Sequence, residues 1–145
     1  MAEGFSVSLI IDRSPADVWS FLTDFANAGE WMSGVDGLRP TDNKEIGLGT
    51  RLQFTSRDAV RESEITEWKP KKRVALTSAY GGVTATYTYS VEPDDDETRI
   101  SLVAVCTATG AWKLLRPGLV WAMKRSDSGQ LNDLRTAMGH ASAED

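Results

Sequence analysis

The sequence predicts an α+β fold, one curved antiparallel sheet folded around a C-terminal helix. Most of the chain from Phe5 to Ala108 reads as short segments with a two-residue apolar period, broken by turn signals. The stretch from Ala111 to Met138 instead has a helical period. Leu115, Leu119, Met123, Leu134 and Met138, with Ala122 and Ala137, form one stripe along it. A lone amphipathic helix cannot bury such a stripe, so the strands must wrap it. Short turns between consecutive strands imply antiparallel meander pairing.

The first strand is Phe5 to Asp12, with Phe5, Val7, Leu9 and Ile11 on one face and Ser6, Ser8 and Ile10 on the other. A helix follows, with Ser14 as N-cap, Pro15 at its first position and Asp17 in its first turn. Val18, Trp19, Phe21, Leu22 and Phe25 supply its apolar face. A second short helix, Asn27 to Ser33, is limited by Gly29 and Gly34.

From Leu38 the pattern becomes strands, beginning with a weak one at Leu38 to Asp42. Gly47 to Ser56 places Leu48, Leu52 and Phe54 on one face, and Arg57-Asp58 makes a polar turn. In the next strand, Val60 to Trp68, Ile65 and Trp68 differ in parity, which predicts a bulge or an early end. After the turn at Pro70, Arg73 to Tyr80 sets Val74, Leu76 and Tyr80 on one face, and Gly81-Gly82 signals a hairpin.

Val83 to Val91 alternates most regularly, with Val83, Ala85, Tyr87, Tyr89 and Val91 opposed to Thr84, Thr86, Thr88 and Ser90. The acidic run Asp94 to Glu97 forms a turn into Thr98 to Ala108, where Ile100, Leu102, Ala104 and Cys106 share a face. Thr109-Gly110 closes this strand, and the chain after Met138 (139–145) is expected to be a flexible tail.

At 145 residues the chain is expected to be one domain, 1–145, with a real hydrophobic core. A net charge of −5 and scattered basic residues argue against a nucleic-acid footprint. The single cysteine, Cys106, excludes an internal disulfide and a cysteine-based zinc site. No apolar run approaches the roughly 18 residues of a membrane span, and the N-terminus has no secretory pattern. A cytoplasmic location is the resulting expectation.

Three stretches carry a resemblance to a known family. Val7 to Asp24 (VSLIIDRSPADVWSFLTD) pairs an opening strand with a Pro-x-x-Val-Trp helix, with Glu30-Trp31 in the second helix. Ile65 to Arg73 (ITEWKPKKR) has a strand-ending Glu-aromatic-x-Pro turn, and the third is the closing strand, glycine and C-terminal helix. Together these resemble the START-like superfamily, which includes the polyketide cyclase/dehydrase proteins and the birch-pollen allergen fold. The resemblance implies a helix-grip: about seven strands wrapped around a long C-terminal helix over an elongated apolar cavity, with two short helices between strands one and two. Members bind lipids, sterols, polyketides or hormones, and a minority catalyse cyclisation or dehydration. Such breadth means that the fold does not deliver the function.

Catalytic machinery is sparse. The one histidine, His140, lies in the expected tail, which disfavours a histidine dyad or triad. The acidic run lacks the spacing of a calcium loop, and Gly47-x-Gly49 opens a strand rather than a phosphate-binding helix. No cofactor or metal is called for, and Cys106 reads as a small core residue.

The candidate ligand-binding residues are Trp31, Phe54, Ile65, Leu76, Tyr87, Tyr89, Leu102, Leu119, Met123, Asp127 and Gln130. Tyr87 and Tyr89 either line a pocket, orienting a polar group or donating a proton, or pack as core with their hydroxyls satisfied. Trp31 is either a gate at the cavity mouth or a structural staple. Arg51, Glu62 and Glu64 are expected to pair outward across strands, since isolated buried charges are costly; inward, they would supply an acid or base. Within the C-terminal segment, Ser126, Asp127 and Gln130 interrupt the apolar stripe, and Gly129 beside them weakens a helix by about 1 kcal/mol relative to Ala. This polar turn marks either a local bend or solvent-exposed middle, or the mouth or floor of a wet cavity facing Tyr87 and Tyr89.

The leading functional expectation is binding or transport of a small hydrophobic molecule: a lipid, a polyketide, or another aromatic or isoprenoid-like ligand. The alternatives are a polyketide cyclase/aromatase or dehydratase using a cavity tyrosine or carboxylate, and a protein-interaction module with a filled cavity. The expected partner is the ligand itself, with a homodimer open and neither nucleic acid nor a membrane span.

Overall fold

The computed structural model of the chain describes residues 3–25, 31, 36–41, 46–56, 59–80, 82–110 and 129–143. Strand β1 (Glu3–Ile11) is followed by helix α1 (Pro15–Thr23), then by β2 (Asp36–Pro40), β3 (Arg51–Ser56), β4 (Ala59–Lys69), β5 (Arg73–Tyr80), β6 (Val83–Asp94) and β7 (Glu97–Ala108). Helix α2 (Gln130–Ala143) comes last. The strands form one seven-stranded antiparallel sheet in the order β1-β7-β6-β5-β4-β3-β2. Five consecutive hairpins build β2 to β7, and β1 returns beside β7 at the far edge. This open, curved sheet with its helices is the helix-grip architecture.

Alternation sets which side is buried. In β7 every second residue from Thr98 to Ala108 is buried, and Ile100, Leu102, Ala104 and Cys106 lose all exposure. Their cross-strand partners on β1 are Leu9, Val7, Phe5 and Glu3, so the apolar face expected of β1 meets the apolar face of β7. Gly4 lies between these partners, where a Cβ would run into the Ala104 carbonyl; only glycine permits this approach of β1 to β7.

Helix α1 begins as its sequence demands. Ser14 is extended, its Oγ accepts a hydrogen bond from the Asp17 N–H at 3.2 Å, and Pro15 opens the helix. Val18, Trp19 and Leu22 are buried, and Trp19 meets Trp68 edge-on with centroids 5.3 Å apart. Ser14→Ala removes the cap, so we expect a loss of about 1 kcal/mol, seen as a fall of roughly 3 °C in Tm.

The bulge foreseen in β4 is present: the register with β5 shifts between Ile65 and Glu67, so Ile65 pairs with Leu76 while Trp68 pairs with Val74. The shift lets both Ile65 and Trp68 face the core. The acidic run forms the tip of the β6–β7 hairpin, with Asp95 at φ 53°.

Three expectations need correction. Leu48 does not join Leu52 and Phe54, because it lies in the turn before β3 and is 71% exposed. That turn is closed by a 3.1 Å hydrogen bond from the Thr50 N–H to the Gly47 carbonyl, with Gly49 at φ 86° between them. The helical period from Ala111 to Met138 is not one unbroken helix either: Gly129 is a turn residue, and α2 starts at Gln130. The low helix propensity of glycine favours that break. At the other end α2 runs on to Ala143, so the segment after Met138 is helical where a frayed tail was expected. The second short helix lies outside the described residues except for Trp31, as do residues 111–128.

Leu131, Leu134 and Met138 turn inward from α2 into the core formed with α1 and the sheet. Around Arg13 the ends are stitched together. The Arg13 carbonyl accepts from the fully buried Thr98 hydroxyl at 2.6 Å, and its guanidinium reaches the Met138 carbonyl at 3.5 Å.

Candidate functional site

The inner face of the sheet is a set of cross-strand rows, since directly opposed residues project to the same side. One row runs Ile65, Leu76, Tyr87, Ala104 and Phe5 across five strands. Next to it, towards α1 and α2, run Trp68, Val74, Tyr89, Leu102 and Val7. On the other side lies a row of small residues. Ser63 and Ser78 flank the Glu64–Thr77 pair, Ser78 opposes Ala85, and Ala85 opposes Cys106. Beyond it Phe54 pairs with Arg61, and Val83 pairs with Ala108.

Small side chains between bulkier rows leave a trough. From the rise per residue and the strand spacing, the trough is roughly 13 Å wide between its bordering rows and roughly 14 Å long across β4 to β7. Its borders, Phe54 and Tyr87, are only half-buried although they face inward and pack on the core. Ser63 is buried and donates to the Thr77 carbonyl at 3.3 Å, so its hydroxyl is accommodated without a charge. Cys106 is fully buried within this row, as expected of a small core residue.

At the helix end, three of the candidate residues meet. Tyr89 is 1% exposed and donates its phenolic proton to Gln130 Oε1 at 2.6 Å. Trp31, 2% exposed, stands perpendicular to Tyr89, with ring centroids 5.5 Å apart and an interplanar angle of 87°. Gln130 is itself buried at the first position of α2. Of the polar turn, Gln130 thus meets Tyr89, while Ser126 and Asp127 lie outside the described residues. Trp31 Nε1 is buried and has no hydrogen-bond acceptor among the described residues.

Phe54, Ile65, Leu76, Tyr87 and Leu102 all lie on this inner face, with Ile65 and Leu102 fully buried in the core. Leu119, Met123 and Asp127 fall outside the described residues. Arg51, Glu62 and Glu64 lie on the opposite face. Arg51 sits across from Glu64 in register, their charged groups 3.8 Å apart and both well exposed. A surface pair of this kind contributes little to stability.

Sequence reasoning missed Arg61, the inner-face cation. The signal was present: Arg61, Ser63 and Ile65 share parity in VRESEITEW, and Ile65 is a core residue. The acidic Glu62 and Glu64, of the opposite parity, mask that pattern. Arg61 is half-buried and opposes Phe54 at the end of the trough remote from Tyr89. Among the described residues, no group of three or more His, Cys, Asp or Glu side chains is placed to hold a metal ion, and no helix is long and apolar enough to cross a membrane.

Residues 3–139 match the family described as polyketide cyclase / dehydrase and lipid transport. The chain belongs to this family. A curated relative, the uncharacterized protein Rv1546 of Mycobacterium tuberculosis, is 27% identical over 92 residues, which cover 60% of this chain. The match spans 64% of that relative's length. Among solved structures, Ara h 8.0201 superposes with a TM-score of 0.73 at 13% identity, covering 94% of this chain and 97% of that one. The Zhui aromatase/cyclase from Streptomyces sp. R1128 gives 0.70 at 12% identity, covering 94% and 93%. Identities this low establish a shared fold. They fit the START-like resemblance of the sequence and leave the activity to the chain's own residues.

Proposed function

We propose that this family member binds a small, predominantly apolar molecule against the inner face of the sheet, in the trough of Ser63, Ser78, Ala85 and Cys106. The observation that carries the proposal is the row of small residues bordered by half-buried Phe54 and Tyr87. Small side chains there leave room over the sheet for a ligand, and ligand sites are mostly apolar with a few placed polar groups. Arg61 on one border and Tyr87 on the other supply those groups. A lipid, a polyketide or another aromatic or isoprenoid-like compound fits the roughly 13 Å by 14 Å outline. The partner is a small molecule; the net charge of −5 disfavours nucleic acid.

A second reading, cyclisation or dehydration of such a molecule, is favoured by the family description and by the half-buried phenol of Tyr87 on the trough border. A phenol held there beside a folded substrate is a candidate proton donor.

Native mass spectrometry and titration with a fatty acid, a flavonoid and a polycyclic aromatic test the binding proposal. We expect a one-to-one complex with at least one of them. A protein that carries no ligand and binds none of the three overturns it.

A further inference from the structure

The two edges of the sheet are built differently. An edge strand turns half of its backbone N–H and C=O groups away from its neighbour, and folded proteins blunt that row with short length, bulges, prolines or charges. Strand β2 carries all four devices. It has five residues, its register with β3 shifts between Asp36 and Arg39, Pro40 has no N–H, and Asp36 and Arg39 are charged. Strand β1 carries none of them from Gly4 to Ile11. It has nine residues, pairs with β7 through nine unshifted steps, and holds no proline or charge over that run. Among the described residues no strand pairs with its outer edge, and its one loop bond is at its end, from the Arg13 N–H to the Ile11 carbonyl. Val7 and Leu9 face inward and pack on the core, yet both are only half-buried, as is Ile10 on the other face.

We propose that β1 is a dimerisation edge, pairing antiparallel with β1 of a second copy of this chain across a twofold axis at Ser8. Pairing residues of like parity keeps the inward side chains of both copies on one face of the joined sheet. About Ser8, Phe5 of one copy opposes Ile11 of the other, Val7 opposes Leu9, and Ser6 opposes Ile10. The half-buried Val7 and Leu9 thus cover one another, and Glu3 stays outside the paired run. Of the seven residue pairs, every second one exchanges two bonds, which gives about six to eight backbone hydrogen bonds. Each copy carries a net charge of −5, but the paired run is uncharged, so no like charges are set opposite each other. The strip is about 24 Å long and about 10 Å thick, and it buries roughly 500 Å² in total, short of the roughly 1,000 Å² of a stable interface. The dimer is therefore reversible, with a dissociation constant of about 1 μM or weaker. It does not depend on what the trough holds.

Sedimentation of the full chain, over concentrations reaching the millimolar, is expected to show a reversible equilibrium of monomer and dimer. Ser8 is exposed on the outer face, so Ser8→Lys should leave the melting curve unchanged. In the dimer it sets two like charges opposite each other and should weaken association about fivefold. Two further variants read the register itself. Ser6 and Ser8 are both exposed on the same face of β1, and the native Cys106 is buried. Across the proposed axis the two Ser8 Cα atoms lie about 5 Å apart, within reach of a disulfide, which spans at most roughly 7 Å. The two Ser6 Cα atoms lie about 14 Å apart. Mild oxidation should therefore give a covalent dimer of Ser8→Cys and none of Ser6→Cys. A chain that stays monomeric at millimolar concentration leaves the edge to another strand and overturns the proposal. So does a dimer indifferent to Ser8→Lys, or cross-linking that does not distinguish Ser8→Cys from Ser6→Cys.

Discussion

Ala85→Leu is expected to abolish binding of apolar probes while leaving Tm within a few degrees of the parent. The reasoning is geometric. Ala85 lies between Ser78 and Cys106 in the row of small residues, and its side chain projects to the inner face beside Tyr87. Leucine adds three carbons, which fill the space a ligand would take. If that space is a trough, the added carbons enter it without displacing neighbours and bury apolar surface, so stability holds. If it were close-packed core, the same substitution would force its surroundings apart and cost about 1–3 kcal/mol. Calorimetric titration with a polycyclic aromatic, set beside thermal melting, separates the two cases. Retained binding, or a steep loss of stability, would each count against the proposed trough.

The second large effect concerns stability. Tyr89→Phe removes the hydroxyl that donates to Gln130 Oε1 across 2.6 Å in a buried setting. The carboxamide oxygen then stays buried without that donor, at a cost of about 1–3 kcal/mol. For a chain of this size the expected fall in Tm is roughly 3–10 °C. Gln130→Leu should cost a comparable amount, because the phenol then loses its acceptor. The double variant, with both sites apolar, should be less destabilised than the sum of the two, which measures the coupling between them. Strict additivity in thermal melts would show that the hydroxyl and the carboxamide do not act as a pair.

Much of the architecture was legible in the chain itself. Strict alternation in β6 and β7 announced which residues would face inward, because a strand's side-chain period is fixed by its backbone. The mismatch of Ile65 and Trp68 announced the β4 bulge, since only an extra residue brings both to one face. Ser14, Pro15 and Asp17 announced the start of α1 through local hydrogen bonding and fixed backbone angles. Leu48 misled because parity was carried backwards through Gly49, whose positive φ of 86° ends the extended run.

The site was less legible, for a different reason. Arg61, Ser63, Ser78, Ala85 and Cys106 belong to four strands, and no one strand reveals that its small residues will line up with those of its neighbours. Register makes the trough, and register depends on where each hairpin turns and where β4 bulges. Likewise Trp31, Tyr89 and Gln130 lie far apart in sequence. Their meeting depends on α2 starting at Gln130 and packing over β1 and β7. By itself the sequence determined most of the strands, the start of α1, the inward faces of β1, β6 and β7, and the family, because these follow from local periodicity, capping and motif. Tertiary structure alone decided that a buried phenol is tied to a carboxamide and that an indole N–H is left unpaired, since hydrogen-bond pairing between distant segments exists only once those segments are placed.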